Sequence, residues 1–160
     1  MKIILHDLLP EQWEKLALNV AKDDLIVTGS GDSKYCIGCF GCWLKTPGRC
    51  VIADQYQQMG ERLSEADELL IISRCTFGSY SSVVKNILDR SISYVSPFFV
   101  IRNREMHHKP RYQNTITLSA IFYGEDITDA EKETARSLVE ANAVNLNGRL
   151  GSIEFREDAL

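Results

Sequence analysis

Short apolar runs alternate with stretches of helical periodicity along this chain. Lys2-Ile3-Ile4-Leu5 reads as a short buried strand, and Leu25-Ile26-Val27-Thr28 as a second. Leu69-Leu70-Ile71-Ile72 is a third, apolar on both faces as a central parallel strand should be. Thr115 to Phe122 and Leu150 to Phe155 supply a fourth and a fifth. Between the strands, Leu9, Trp13, Leu16 and Val20 recur at helical spacing, with Pro10 near the first turn, where its missing N–H costs nothing. Asp54 is placed to cap a helix that carries Tyr56, Met59 and Leu63 on one face. Val84, Ile87, Leu88 and Ser91 mark the next helix. Thr128-Asp129-Ala130-Glu131 is a capping box, opening a helix that runs on through Leu138 and Val139.

Five strands alternating with helices predict an α/β fold, a three-layer, doubly wound, open parallel sheet covered on both faces. Right-handed crossovers leave few topologies, and the order 2-1-3-4-5 is the expected one at this length. The 160 residues fit a single domain, 1–160, with one sizeable core. Neither an internal repeat nor a low-complexity tract interrupts it. Two connections, Gly29 to Ala53 and Ser93 to Asn114, are too long to be plain turns. Long loops in compact domains are usually functional or mobile.

Composition narrows the functional classes. Hydrophobic content of 44% and charged content of 25% are ordinary for a soluble globular protein. A net charge of −4 argues against non-specific binding to nucleic acid or to an anionic membrane surface. No uncharged apolar run is long enough to span a bilayer, and Met1 to Asp7 is too short for a signal peptide. Clustered cysteines without a secretory signal fit the cytoplasm and metal or redox use.

The cysteines are the sharpest chemical signal. Cys36, Cys39 and Cys42 recur at C-x2-C-x2-C spacing and Cys50 follows, so four of the five cysteines share one loop. Gly38 and Gly41 let the backbone fold back so that the thiols converge. Sets of this kind hold many iron–sulfur clusters, whereas zinc more often takes two separated pairs. The Cys42-to-Cys50 spacing is irregular and no proline follows Cys50, so a cluster, zinc, a disulfide and free thiols all stay open. Cys75 lies apart and reads as a small buried hydrophobe.

Ligands of such sheets bind outside the carboxyl ends of the strands. The cysteine loop and the segment Arg74 to Ser82 are therefore expected on one rim. That segment is rich in hydroxyls and opens a helix, whose N–H groups suit an anion or an electron-rich carbonyl, or simply take serine caps. Arg74 is placed to meet a ligand phosphate or a nearby carboxylate. His107-His108, set among Arg102, Arg104, Lys109 and Arg111, reads as solvated or interfacial, with local positive charge for a dinucleotide phosphate or a partner's acidic patch. Trp43 serves either to shield the thiols or to pack the loop.

Gly78-Ser79, then Lys85, then Asp89-Arg90 resembles the Gly-Ser…Lys-x3-Asp-Arg pattern of the NAD(P)H-dependent FMN reductase-like flavoproteins. The cysteine loop, the turn Trp43 to Gly48, Ser96-Pro97-Phe98-Phe99 and Glu105 to His108 are similar to their iron–sulfur flavoprotein branch. The resemblance covers most of the chain from about residue 25. It implies a flavodoxin-like fold, FMN as cofactor, and an iron–sulfur cluster on Cys36, Cys39, Cys42 and Cys50. It also implies NAD(P)H or a reduced electron carrier as partner, and a homodimer or homotetramer with flavin near a subunit interface. Carried over by position, Thr76, Phe77, Gly78, Ser79 and Tyr80 bind the cofactor, the first four lining its ring. Two positions depart from the family there. Arg74 stands where a proline is usual, and Thr76 where an aromatic is.

The larger departure is after the first strand. The family holds the FMN phosphate there with a Gly-Ser-x-Arg-x-x-Ser/Thr loop, and this chain has His6-Asp7-Leu8-Leu9-Pro10. Asp7 would repel a phosphate dianion; its structural reading is a helix cap. The expected function is an FMN-dependent NAD(P)H oxidoreductase or electron-transfer flavoprotein with a weak phosphate site. The alternatives are a flavin-free iron–sulfur or zinc protein and a non-catalytic partner subunit that has lost the phosphate loop.

Overall fold

A computed structural model describes residues 1–29, 33–102 and 104–156. In chain order the elements are β1 (Lys2–His6), α1 (Pro10–Lys15), β2 (Leu25–Thr28), α2 (Gly41–Leu44), α3 (Met59–Ser64), β3 (Glu68–Arg74) and α4 (Ser82–Arg90). After a 3-10 turn at Ile92–Tyr94 come β4 (Val95–Arg102), β5 (Glu105–Pro110), β6 (Thr117–Tyr123), α5 (Asp129–Asn145) and β7 (Arg149–Arg156). The main sheet runs β2-β1-β3-β6-β7, with every described pairing parallel. With the β4–β5 hairpin set aside, this is the expected order 2-1-3-4-5, the flavodoxin-like one.

From β1 the chain steps one way to β2, then steps back across the sheet to β3, β6 and β7. Crossovers of one hand therefore put α1 on one face and α3, α4 and α5 on the other. The core divides accordingly, because alternate strand residues point to opposite faces. Ile3, Leu5, Leu69, Ile71, Leu118 and Phe122 pack against Met59, Leu63, Val84, Ile87, Ala135 and Val139. Ile4, Leu70, Ile72 and Ile121 face Leu8, Leu16 and Trp13. The capping box at the head of α5 forms as read, with the Thr128 hydroxyl accepting from Glu131 N–H and Glu131 Oε2 accepting from Thr128 N–H.

Several local expectations are corrected. Helix α1 stops at Lys15, short of Val20, because Ala17 turns left-handed at φ 46°. Leu9, not Asp7, stands at its N-cap position. Asp54 does not cap a helix. Its carboxylate accepts from Tyr56 N–H and is otherwise taken by Arg90, so α3 begins only at Met59. The connection from Ser93 to Asn114 is a 3-10 turn and an antiparallel hairpin, in which Phe99 faces His108 and Ile101 faces Met106. Its strands hide in the sequence because Pro97 and Pro110 interrupt any simple alternation.

Candidate functional site

Two regions bear the chemistry. One is the carboxyl edge of the sheet around β1, β3 and β6. The other is the cysteine loop, which runs along α4.

At the sheet edge, Cys75 to Ser79 forms a tight turn. Thr76 and Ser79 exchange both backbone hydrogen bonds at 2.9 Å, and Phe77 and Gly78 sit at φ 52° and 73°. Glycine is needed at 78 on two counts. The conformation favours it, and a Cβ there would lie 2.7 Å from Thr134 Cβ and 2.9 Å from Glu131 O at the start of α5. The turn is thus braced against α5, and Phe77 stands at its tip, 88% exposed. Ser81 caps α4 by accepting from Val84 N–H, and its own N–H goes to Ser73 Oγ. Tyr80 points the other way. It is buried, stacks on Phe122 with ring centroids 5.4 Å apart, and its hydroxyl accepts from Asn142. Burial pushes that phenol up to about 12. Thr76, Phe77, Gly78 and Ser79 therefore share the edge, while Tyr80 belongs to the core.

The loop after β1 closes upon itself. Asp7 N–H donates to Ile72 O, Leu8 N–H to His6 Nδ1, and Leu9 N–H to Gln12 Oε1. Pro10 has no N–H to give. The His6 ring is buried and stacks on Trp13 at 4.4 Å, and burial lowers its pKa. Since Nδ1 accepts, the ring proton sits on Nε2. The Asp7 carboxylate accepts from Arg74 N–H, 3.2 Å to each oxygen, and from the Tyr123 hydroxyl at 3.1 Å. That N–H needs an acceptor because β1 pairs with β3 only as far as His6 opposite Ile72. Asp7 is thus a sheet-edge acceptor and not a helix cap.

The cysteine loop is fastened to α4. Asn86 accepts from Cys36 N–H at 3.1 Å and donates to Lys34 O at 3.2 Å. Arg90, whose side chain is fully buried, reaches four points of the loop. It donates to Lys34 O (2.8 Å), Cys50 Sγ (3.1 Å), Ile52 O (3.2 Å) and both oxygens of Asp54 (2.7 Å each). The guanidinium in turn holds the Asp54 carboxyl below the usual carboxylate range. The family-like Asp89-Arg90 thus marks the fastener of the cysteine loop. The sequence offered no separate sign that Arg90 would be buried.

Cys36, Cys39, Cys42 and Cys50 line one largely apolar cavity of about 580 Å³, floored by Ile71 and Leu118 of the sheet. Cys36 and Cys39 are exposed, Cys42 is half-buried and Cys50 is buried. Burial first, and the neighbouring Cys50 next, push the Cys42 thiol up. Gly38 adopts φ 64°, the left-handed conformation that favours glycine, with open space where a Cβ would stand. Trp43 donates to Val95 O at 3.0 Å and leads a run of ring contacts through His108 to Phe99, joining the loop to the hairpin. His108 Nδ1 is bonded to Ser96 O, and His107 Nδ1 to Asn145 Oδ1. Both histidines are therefore tied into the hairpin packing.

None of residues 74 to 82 lines this cavity. The cavity and the turn at residues 74–82 are thus lined by separate residues. The loop is fastened along α4, at Asn86 in its middle and Arg90 in its last turn, about 6 Å and 12 Å along the helix axis from its first residue. Thiolates suit a soft metal. Yet among the described residues no group of three or more His, Cys, Asp or Glu is placed to hold a metal ion. The thiols share a cavity without converging, and Cys50 is engaged by Arg90.

The model of the NADPH-dependent FMN reductase family matches residues 11–124. Among curated proteins, an iron–sulfur flavoprotein of Archaeoglobus fulgidus is 30% identical over 102 residues, covering 64% of this chain and 48% of the relative. A second, from Methanocaldococcus jannaschii, is 30% identical over 84 residues, covering 52% of this chain and 42% of its own length. The chain thus matches somewhat less than half the length of these relatives. Among solved structures, an FMN-dependent NADH-azoreductase from Bacillus anthracis, in complex with FMN, superposes with a TM-score of 0.52 at 10% identity, over 99% of this chain and 88% of that one. At that identity the likeness shows the fold alone. Among the described residues no helix is long and apolar enough to cross a membrane.

Proposed function

Because this chain belongs to the NADPH-dependent FMN reductase family, we propose that it is a flavin-dependent oxidoreductase unit whose ring site is the Thr76–Ser79 turn. The observation that carries this reading is the turn itself. It sits at the carboxyl end of the central strand, it is braced on α5 through Gly78, and it presents an exposed Phe77 between two hydroxyl residues. Ligands of open α/β sheets bind outside this edge, next to the point where the strand order reverses. That point lies between β1 and β3 here.

A bound flavin supplies hydride and electron exchange, which no side chain at this edge provides. The chain's part is positional. Phe77 offers an apolar face for a planar ring, the Thr76 and Ser79 hydroxyls suit ring carbonyls, and the fixed turn keeps them in register. Tyr80 contributes by holding the turn to the core. NAD(P)H or a reduced carrier as electron source, and a homodimer or homotetramer, rest on the resemblance. An iron–sulfur cluster on Cys36, Cys39, Cys42 and Cys50 draws support from residue type, from spacing and from the relatives' names. The arrangement of the thiols opposes it. Iron and sulfide analysis of protein purified without oxygen tests it directly.

One observation favours a second reading, a flavin-free partner unit. The loop after β1 commits the N–H groups of residues 7, 8 and 9, and residue 10 is proline, so the usual phosphate donors there are taken. Titration of apo-protein with riboflavin, followed by flavin fluorescence, separates the two. Saturable binding that Phe77→Ala weakens about tenfold or more supports the ring site. No saturable binding by riboflavin or FMN ends the flavin reading and leaves the partner unit.

A further inference from the structure

The crevice at the strand-order reversal already contains an anion. Asp7 follows β1, and its carboxylate reaches across to the Arg74 N–H at the end of β3 and to the Tyr123 hydroxyl at the end of β6. One side chain thereby spans the ends of the two strands on either side of the reversal and a third beyond them. The donors it occupies are the kind that hold phosphates in such crevices, backbone N–H groups and hydroxyls. The neighbouring donors are committed too. The N–H groups of residues 7, 8 and 9 go to Ile72 O, His6 Nδ1 and Gln12 Oε1, and residue 10 is proline. Asp7 remains half-buried, so its charge is only partly screened by water. Of the two basic groups nearby, His6 is buried and neutral, while Arg74 stands exposed at the strand end with its backbone N–H taken by Asp7. The fixed carboxylate and the committed N–H groups of residues 7 to 9 oppose a phosphate group in this crevice.

We propose that Asp7 sets the charge selectivity of this crevice, so that it admits planar ring ligands with an uncharged tail and disfavours those ending in a phosphate. The fixed carboxylate does two things at once. It satisfies the edge donors a phosphate would use, and it repels a dianion brought close to it. For the flavin reading, on which this inference rests, the ligand class becomes a flavin without its phosphate, with riboflavin as the probe. Asp7 is a specificity-determining residue and takes no part in electron transfer.

The experiment measures riboflavin and FMN affinities for the wild-type protein and for Asp7→Asn, which keeps the shape and an acceptor oxygen but removes the charge. The wild type is expected to bind FMN no more than about tenfold more tightly than riboflavin. Asp7→Asn is expected to shift that ratio toward FMN by about tenfold, with riboflavin affinity changed less than threefold. Ionic strength supplies a second readout on the unaltered protein. Salt should strengthen or leave unchanged FMN binding if a carboxylate repels the phosphate, and weaken it if cations and donors hold it. A wild-type preference for FMN beyond tenfold, a ratio that Asp7→Asn leaves in place, or FMN binding that weakens with salt overturns the assignment to Asp7 while the flavin reading stands. Failure of both flavins to bind overturns both.

Discussion

The loop after β1 and the loop after β2 solve the same problem in opposite ways. Each leaves the carboxyl edge of the sheet and must satisfy its own polar groups. The first is short: the His6 ring and the Gln12 amide take the Leu8 and Leu9 N–H groups within it, and Asp7 reaches across to the end of β3. Its N–H groups at residues 7, 8 and 9 are all taken. The second is long, keeps four thiols around a cavity, and depends on Asn86 and Arg90 of a distant helix for its shape. A self-satisfied loop is rigid and chemically closed. A loop held from outside keeps its reactive groups and fails if its fastener is removed. Each loop carries one of the two tryptophans, Trp13 on His6 and Trp43 beside the thiols, so each reports separately.

The largest expected effect is at Arg90. Arg90→Ala leaves the Asp54 carboxylate without its cation, frees Ile52 O and Cys50, and leaves Lys34 O held by Asn86 alone. Removing one member of a buried ion pair costs about 3–5 kcal/mol. Urea denaturation should show that loss, and in the native state the emission of Trp43 should change while that of Trp13 holds. An unchanged Trp43 signal would mean that the loop keeps its own shape and that the contrast is wrong.

Thiol labelling reads the same fastening without a fold-wide change. Cys36 and Cys39, both exposed, should react first with an aromatic disulfide reagent at neutral pH. Cys42 should follow slowly, since burial raises its pKa, and Cys50 last. In Arg90→Lys, which cannot span all four points, Cys50 should gain on the others by about tenfold or more. Mass mapping of early label on Cys50 in the wild type would count against the burial argument.

In the first loop, His6→Ala removes the acceptor for Leu8 N–H and the stack on Trp13. We expect a loss of about 1–3 kcal/mol, with Trp43 unmoved. A loss that Trp43 also reports in the native state would join the two loops into one unit.

Acid sharpens the comparison with the smallest effect. Burial lowers the folded pKa of His6 below its ordinary 6.5, so the unfolded chain takes the proton first. Its contribution is complete above pH 6.5 and falls as pH drops from there through the lower folded value. Asp54 is also depressed, chiefly by its hydrogen bonds from Arg90, so its contribution holds above pH 3.8 and is lost as pH falls through a lower value still. The first loop should therefore loosen before the cysteine loop. Stability measured between pH 7 and 3 on His6→Gln should lack the upper step and keep the lower one.

Much of this architecture was legible in residue order. Leu69 to Ile72 has no polar face, which demands a strand buried on both sides, and Thr128 with Glu131 marks a helix start through local bonds alone. The lack of phosphate-binding groups between His6 and Pro10 was equally plain. Asp54 and Asp7 show where such reading stops. Each stands where a local rule makes it a helix cap, and each instead satisfies a group far away in the chain, Arg90 for one and the Arg74 N–H for the other. Cys50 likewise sits in a recognisable set, yet its sulfur meets a guanidinium forty residues on.

Residue order alone fixes what is short-range: strand and helix periods, turn glycines, the Thr128–Glu131 capping box, and the spacing of the thiols, because each depends on neighbours within a few residues. Tertiary structure decided which polar groups are spent on the fold and which are left for a ligand. That depends on contacts between segments far apart in the chain, which neighbouring residues do not specify, and for the buried Arg90 the loss of water strengthens them. Asp7 at the strand-order reversal and Arg90 beneath the cysteine loop are both decided in that way.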